Sequence, residues 1–255
     1  MQRQPIIVGA GEAGDGAPYP QAGRDRLIAA PAVAELGTGA DPDPRVLLGE
    51  LDGQRVFMMG DNPRLARMPE APTLFDFFRL RLNDFDRRHL LQSAALALQA
   101  GHPEPVVTAC LLHDFAVGGL LRADHGYWGA QLVGPYVSEE VAWAIEHHQA
   151  LRYFADESVG YHYPTAYLRY FGDDYEPPEY IRAAATRARG HRWYMTSRLI
   201  TLYDVYAFDD AAAVELDEFT DIVGRNFRQP REGLGFDGSP VAHMWRTMIW
   251  PNNFL

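Results

Sequence analysis

Apolar positions along this chain change their period several times, and each change marks an element. Between Val46 and Met59, two apolar runs flank Asp52-Gly53, which predicts a β-hairpin with a type I′ turn. From about Thr73 the spacing turns helical. Gly101 and Pro103 stop one helix and start the next. Ser138-Glu139-Glu140 places an N-cap and first-turn acids ahead of Val141, Ala144 and Ile145. Pro177-Pro178-Glu179 opens another helix, and a long one is expected from about Arg187 to Phe208. Residues 211–255 carry no clean period, yet Phe219, Phe227, Met244, Trp245, Ile249, Trp250 and Phe254 need burial. That tail is expected to wrap the helical core or to form a subunit interface, which leaves a homo-oligomer open. The expectation is an all-α fold in three parts: an extension over 1–72 containing the hairpin, a helical core over 73–210, and an ordered, irregular tail over 211–255.

Composition narrows the chemistry. A chain of 255 residues can bury a sizeable core. Its Lys+Arg total of 23 is all arginine, so Schiff-base, P-loop-lysine and lysine-base chemistries are excluded. The formal net charge of −11, without a basic cluster, argues against a nucleic-acid partner and leaves small molecules. The single Cys110 sits in an apolar run and reads as a buried filler. No apolar stretch approaches the ~20 residues of a membrane span, and the N-terminus carries no signal-peptide core. A soluble, cytoplasmic chain without a membrane partner is therefore expected. Gly9-Ala10-Gly11-Glu12-Ala13-Gly14 matches a dinucleotide fingerprint literally, but Pro18 and Pro20 follow where a helix is required, so it reads as a decoy.

Five stations of histidine and aspartate carry a stronger signal. His89 lies in His89-Leu90-Leu91-Gln92, His113-Asp114 closes an apolar helix, and His125 follows Asp124. His147-His148 ends the helix begun at Ser138, and Asp204 lies in the last long helix. Each buried polar group needs a partner, and a shared divalent metal would satisfy all of them together. Adjacent helical residues point ~100° apart. The stripe of Val137, Val141, Ala144 and Ile145 continues onto His148 and Leu151, so His148 is favoured for the core and His147 is held in reserve.

In this order the residues resemble the HD-domain superfamily of metalloenzymes, over roughly Phe75 to Phe208. The resemblance implies an HD-domain helical bundle in which His89, His113, Asp114 and Asp204 hold one metal. Asp114 would bridge to a second, held also by His125 and His148, and would be the residue on which catalysis depends. His102, His162, His191 and His243 match no position of the pattern.

Within the superfamily the chain is most similar to the mixed-valent diiron oxygenases, the branch of inositol oxygenase and the phosphonate oxygenases. Three features carry this: Gln92 one turn after His89, the segment Arg152-Tyr153-Phe154 after the fourth histidine, and the helical insert before Asp204. The resemblance implies two irons, Fe(II)/Fe(III), with O2 as co-substrate and cleavage of a C–C, C–P or C–H bond of a small polar or anionic substrate. Gln92, Arg152 and Tyr153 would contact that substrate. Known members use lysine there, which this chain lacks, and Leu82 stands in the stretch where phosphonate members carry a gating acid, so substrate identity does not transfer. The alternative is a phosphohydrolase acting on a nucleotide or phosphomonoester with Mn, Co, Ni or Zn.

Overall fold

The computed structural model describes residues 65–119, 124–172 and 174–251. The expected hairpin over 46–59, the segment 9–14 and Phe254 lie outside them. Among the described residues the chain is helical, and extended pairing is confined to one antiparallel bridge between Asp156 and Tyr161.

Local signals explain most of the helix ends. Helix α1 (Leu74–Leu80) begins at a capping box in which Thr73 and Asp76 each accept the other's backbone N–H. Helix α2 (Asp84–Gln99) starts at Asn83, and Gly101 behind it takes a left-handed φ of 75°. Pro103 precedes α3 (Glu104–Leu112), and the chain breaks at His113-Asp114 before the short α4 (Phe115–Gly119). Helix α5 (His125–Val133) leads into α6 (Glu139–Leu151), whose Ser138 hydroxyl accepts the Val141 N–H. Next come α7 (Thr165–Phe171), α8 (Glu179–Arg189) and α9 (Tyr194–Tyr206).

Two expectations about local structure are corrected. The helix expected over 187–208 is the end of α8 and the whole of α9, interrupted between Gly190 and Trp193. There the His191 ring stacks on Trp143 at 4.0 Å and Trp193 tilts against the same indole at 6.2 Å. Aromatic packing on α6 replaces the helical register. The tail is also more regular than its sequence suggests, with a 3-10 turn at Leu216–Phe219 followed by α10 (Thr220–Asn226) and α11 (Ala242–Ile249). On α11 the buried Met244, Trp245, Met248 and Ile249 fall at one-turn spacings, giving one apolar face.

These tail residues join the same apolar core as α1, α2 and α3. Helix α6 packs against α3, α5, α8 and α9, and α9 closes on α2 and α3, so α2, α3, α5, α6 and α9 converge. Among the described residues no helix is long and apolar enough to cross a membrane.

Trp245 anchors the tail. It is fully buried, meets Phe77 edge-on at 4.7 Å, and donates its indole N–H to the Leu132 carbonyl at 3.2 Å. Trp245→Ala is expected to cost about 3–5 kcal/mol, through lost burial and an unfilled cavity. Urea unfolding monitored by circular dichroism checks this; an unchanged midpoint would show that the tail contributes little.

Candidate metal centre

The convergence brings the six singled-out side chains together. His89 comes from α2, His113 and Asp114 from the break after α3, His125 from the first position of α5, His148 from α6, and Asp204 from α9. They form two groups whose potential ligand atoms lie within 4.8 Å of one another: His89, His113, Asp114 and Asp204, and then Asp114, His125 and His148. Asp114 belongs to both. Its Oδ2 lies 3.7 and 3.6 Å from the Nε2 atoms of His89 and His113, and its Oδ1 lies 3.1 and 3.5 Å from those of His125 and His148. One carboxylate thus turns one oxygen to each half.

Hydrogen bonding at the back of each ring sets what faces inward. His113 Nδ1 donates to the Cys110 carbonyl at 2.8 Å, His148 Nδ1 to Ile145 at 2.6 Å, and His89 Nδ1 to Ala207 at 3.1 Å. A carbonyl only accepts, so Nδ1 of each ring carries a proton and Nε2 is the atom turned toward the cluster. Those Nε2 atoms crowd: His89 and His113 are 3.3 Å apart, and so are His125 and His148. In the His89–His113 pair two back-bonded rings turn acceptors toward each other beside two carboxylates, an arrangement that a cation among them relieves. This back-bonded, inward-facing arrangement is how proteins orient metal-binding imidazoles.

The electrostatics agree. His113 and His148 are fully buried and Asp204 is 1% exposed. Burial would raise both carboxyls, but His113, His125 and His148 hold Asp114 well below the usual carboxylate range. Against the same burial, Arg152, His113 and His89 hold Asp204 low as well. Burial pushes His148 down to about 4, which keeps it neutral at pH 7 and its Nε2 free to bind a cation. Burial also works against a proton on His89, yet Asp204 and Asp114 raise its pKa, so a proton could relieve that half alone. Asp114 Oδ1 and Asp204 Oδ2 are buried and make no well-formed hydrogen bond, facing only the His125 and His148 rings and the Arg152 guanidinium respectively. Imidazole nitrogens and carboxylate oxygens with spare lone pairs fit a buried divalent metal ion.

Glycine sets the spacing of the second half. A Cβ on Gly126 would stand 2.9 Å from the Ile145 carbonyl oxygen and 3.0 Å from that of Glu146. Only a bare backbone lets α5 approach α6 this closely, which brings His125 to His148. The sequence carries that signal in Gly126 and Gly129, one turn apart.

The remaining singled-out residues lie around this centre. His147 points elsewhere: its ring stacks on Trp143 at 4.2 Å and its Nδ1 donates to the Trp143 carbonyl. Arg152 is close, with Nε 3.3 Å from Asp204 Oδ2 and its guanidinium 5.7 Å from the Tyr167 ring. Tyr153 packs into an aromatic group with Tyr167, Phe171 and Tyr175. Gln92 is buried and its amide is engaged with the backbone of Asp209. Two contributors had no local signal: the Ala207 carbonyl behind His89, and the Phe208 ring stacked on that histidine at 4.6 Å. Leu82 is a core residue. His102 hydrogen-bonds the Tyr203 hydroxyl at 2.6 Å, and His162 and His243 are exposed.

No protein-family model matches this chain, and no curated protein matches it. The site therefore stands on its own geometry: a buried His/Asp cluster able to hold a metal ion.

His148→Ala is expected to lower bound metal at least tenfold more than His147→Ala, because only His148 turns toward the cluster. Elemental analysis after metal loading and desalting checks this, and equal losses would overturn the assignment. Gly126→Ala should also weaken metal binding, since its methyl group must push α5 off α6.

Proposed function

We propose that this chain is a dinuclear, metal-dependent enzyme of the HD-domain kind, and that it is a diiron oxygenase acting on a small polar or anionic substrate with O2. The observation that carries the dinuclear part is Asp114, which offers one carboxylate oxygen to each half of the cluster. Two metal ions would share that bridge, with His89, His113 and Asp204 on one side and His125 and His148 on the other. Metals held there supply Lewis acidity and, as iron, one-electron chemistry with O2.

Three observations support the oxygenase reading. The donor set is imidazole and carboxylate without thiolate, which suits iron. The His125 half has three protein donors, leaving coordination positions for exogenous molecules. Five of the six side chains are buried, which limits the access of bulk water to the reacting atoms.

The protein's own part follows from charge and position. Two carboxylates do not neutralise two divalent cations, and Arg152 adds a further positive charge beside Asp204. Burial would lower the pKa of that guanidinium, but Asp204 and the surrounding oxygens raise it, so it stays charged. A substrate with an anionic group would be drawn in and oriented by Arg152, with Tyr153 and Tyr167 forming the wall beside it. Asp114 would keep both halves in register.

A second reading is a phosphohydrolase using Mn, Co, Ni or Zn, in which the same ions activate water and Arg152 holds a phosphate. One observation favours it. Gln92, which links the chain to the oxygenases, turns both ends of its amide to backbone and has no spare polar atom for substrate.

Electron paramagnetic resonance on protein loaded anaerobically with ferrous iron, then partly oxidised, separates the readings. A coupled mixed-valent signal is expected. Its absence, with phosphate release on manganese, cobalt or nickel, would replace the oxygenase with the hydrolase. Asp114→Ala should lose both metals, and retention of both would end the dinuclear reading.

A further inference from the structure

The three histidines with visible back-bonds are not oriented in the same way. His113 and His148 each donate Nδ1 to a carbonyl three residues earlier, so folding of their own segment sets the ring. His89 donates to Ala207, which lies 118 residues away. Its orientation depends on where the segment after α9 is placed.

That segment is held by α2 itself. One turn after His89, Gln92 closes both ends of its amide on one residue: Nε2 donates to the Asp209 carbonyl at 2.7 Å, and Oε1 accepts the Asp209 N–H at 3.0 Å. Before His89, Arg88 Nη2 donates to the Asp210 carbonyl at 3.0 Å. Between these two anchors, the Phe208 ring lies on the His89 ring at 4.6 Å and 18°. Ala207 also donates its N–H to the Asp204 carbonyl at 3.2 Å, so one residue ties together two members of the same half of the cluster.

We propose that Gln92 is a positioning residue for the His89 half of the metal centre, acting through the segment 207–212 and not by touching substrate. Its geometry argues against substrate contact. The side chain is 5% exposed, and its oxygen and nitrogen are both engaged with backbone. Groups that orient a metal-binding histidine typically change metal affinity about 10- to 100-fold when removed. Gln92 acts one link further out, through Ala207 and Phe208.

The inference rests on the dinuclear reading, and cobalt(II) titration of the metal-free full-length protein tests both separately. Wild type is expected to bind two cobalt ions. Gln92→Ala should weaken one of them about tenfold, alter the ligand-field absorption of that ion, and leave the other unchanged. Gln92→Glu keeps the acceptor for the Asp209 N–H but sets a carboxylate oxygen against the Asp209 carbonyl, so it should fall on the same side as Gln92→Ala. It also serves if the alanine variant fails to fold. Two ions bound with wild-type affinity and spectrum in either folded variant would overturn the positioning role, as would equal weakening of both ions. Fewer than two ions bound by wild type would overturn the dinuclear reading itself.

Discussion

Two aspartates and four histidines share one desolvated space, and their mutual repulsion is the constraint around which these helices are arranged. Imidazole nitrogens 3.3 Å apart, beside two buried carboxylates, call for positive charge among them. Arg152 supplies part of it from the Asp204 side. A metal ion would supply the rest and turn the repulsion into coordination. Buried charge is costly unless it is paired, so a cluster of this kind is poor as a mere stabiliser and well suited to a functional centre.

The packing around the cluster serves that convergence. Helix α5 begins with His125 and approaches α6 over bare backbone at Gly126. The left-handed φ of 51° at Asp124, a residue type that tolerates it better than most, turns the chain into that first helical position. On the other side α9 carries Asp204 and then returns across α2, where Ala207 and Phe208 meet His89. The tail closes the apolar core through Trp245. The two jobs are divided: the apolar core holds the helices, and His113, His125, His148 and Asp204 at or near helix ends meet His89 from within α2.

Much of this was legible in the chain. The caps at Ser138, the Gly101-Pro103 punctuation and the stripe ending at His148 are local patterns, and the helices follow them. The apolar stripe from Val137 to Leu151, with the ~100° between neighbouring helical residues, points to His148 over His147, and the structure turns His148 inward and leaves His147 on Trp143. The break in the helix expected over 187–208 was not legible, because it depends on Trp143 from α6 meeting His191. Nor did composition reveal how regular the tail is, since its apolar face matters only against residues of α1, α4 and α5.

What the sequence determined by itself is which histidines and aspartates could share a site and which helix faces they occupy, because helical periodicity and capping act over a few residues. What only the tertiary structure decided is how those groups are oriented. The partner of His89 lies 118 residues away at Ala207, and the Gln92 amide closes on Asp209 across 117. Contacts at such separations depend on how whole helices pack, and no local pattern encodes them.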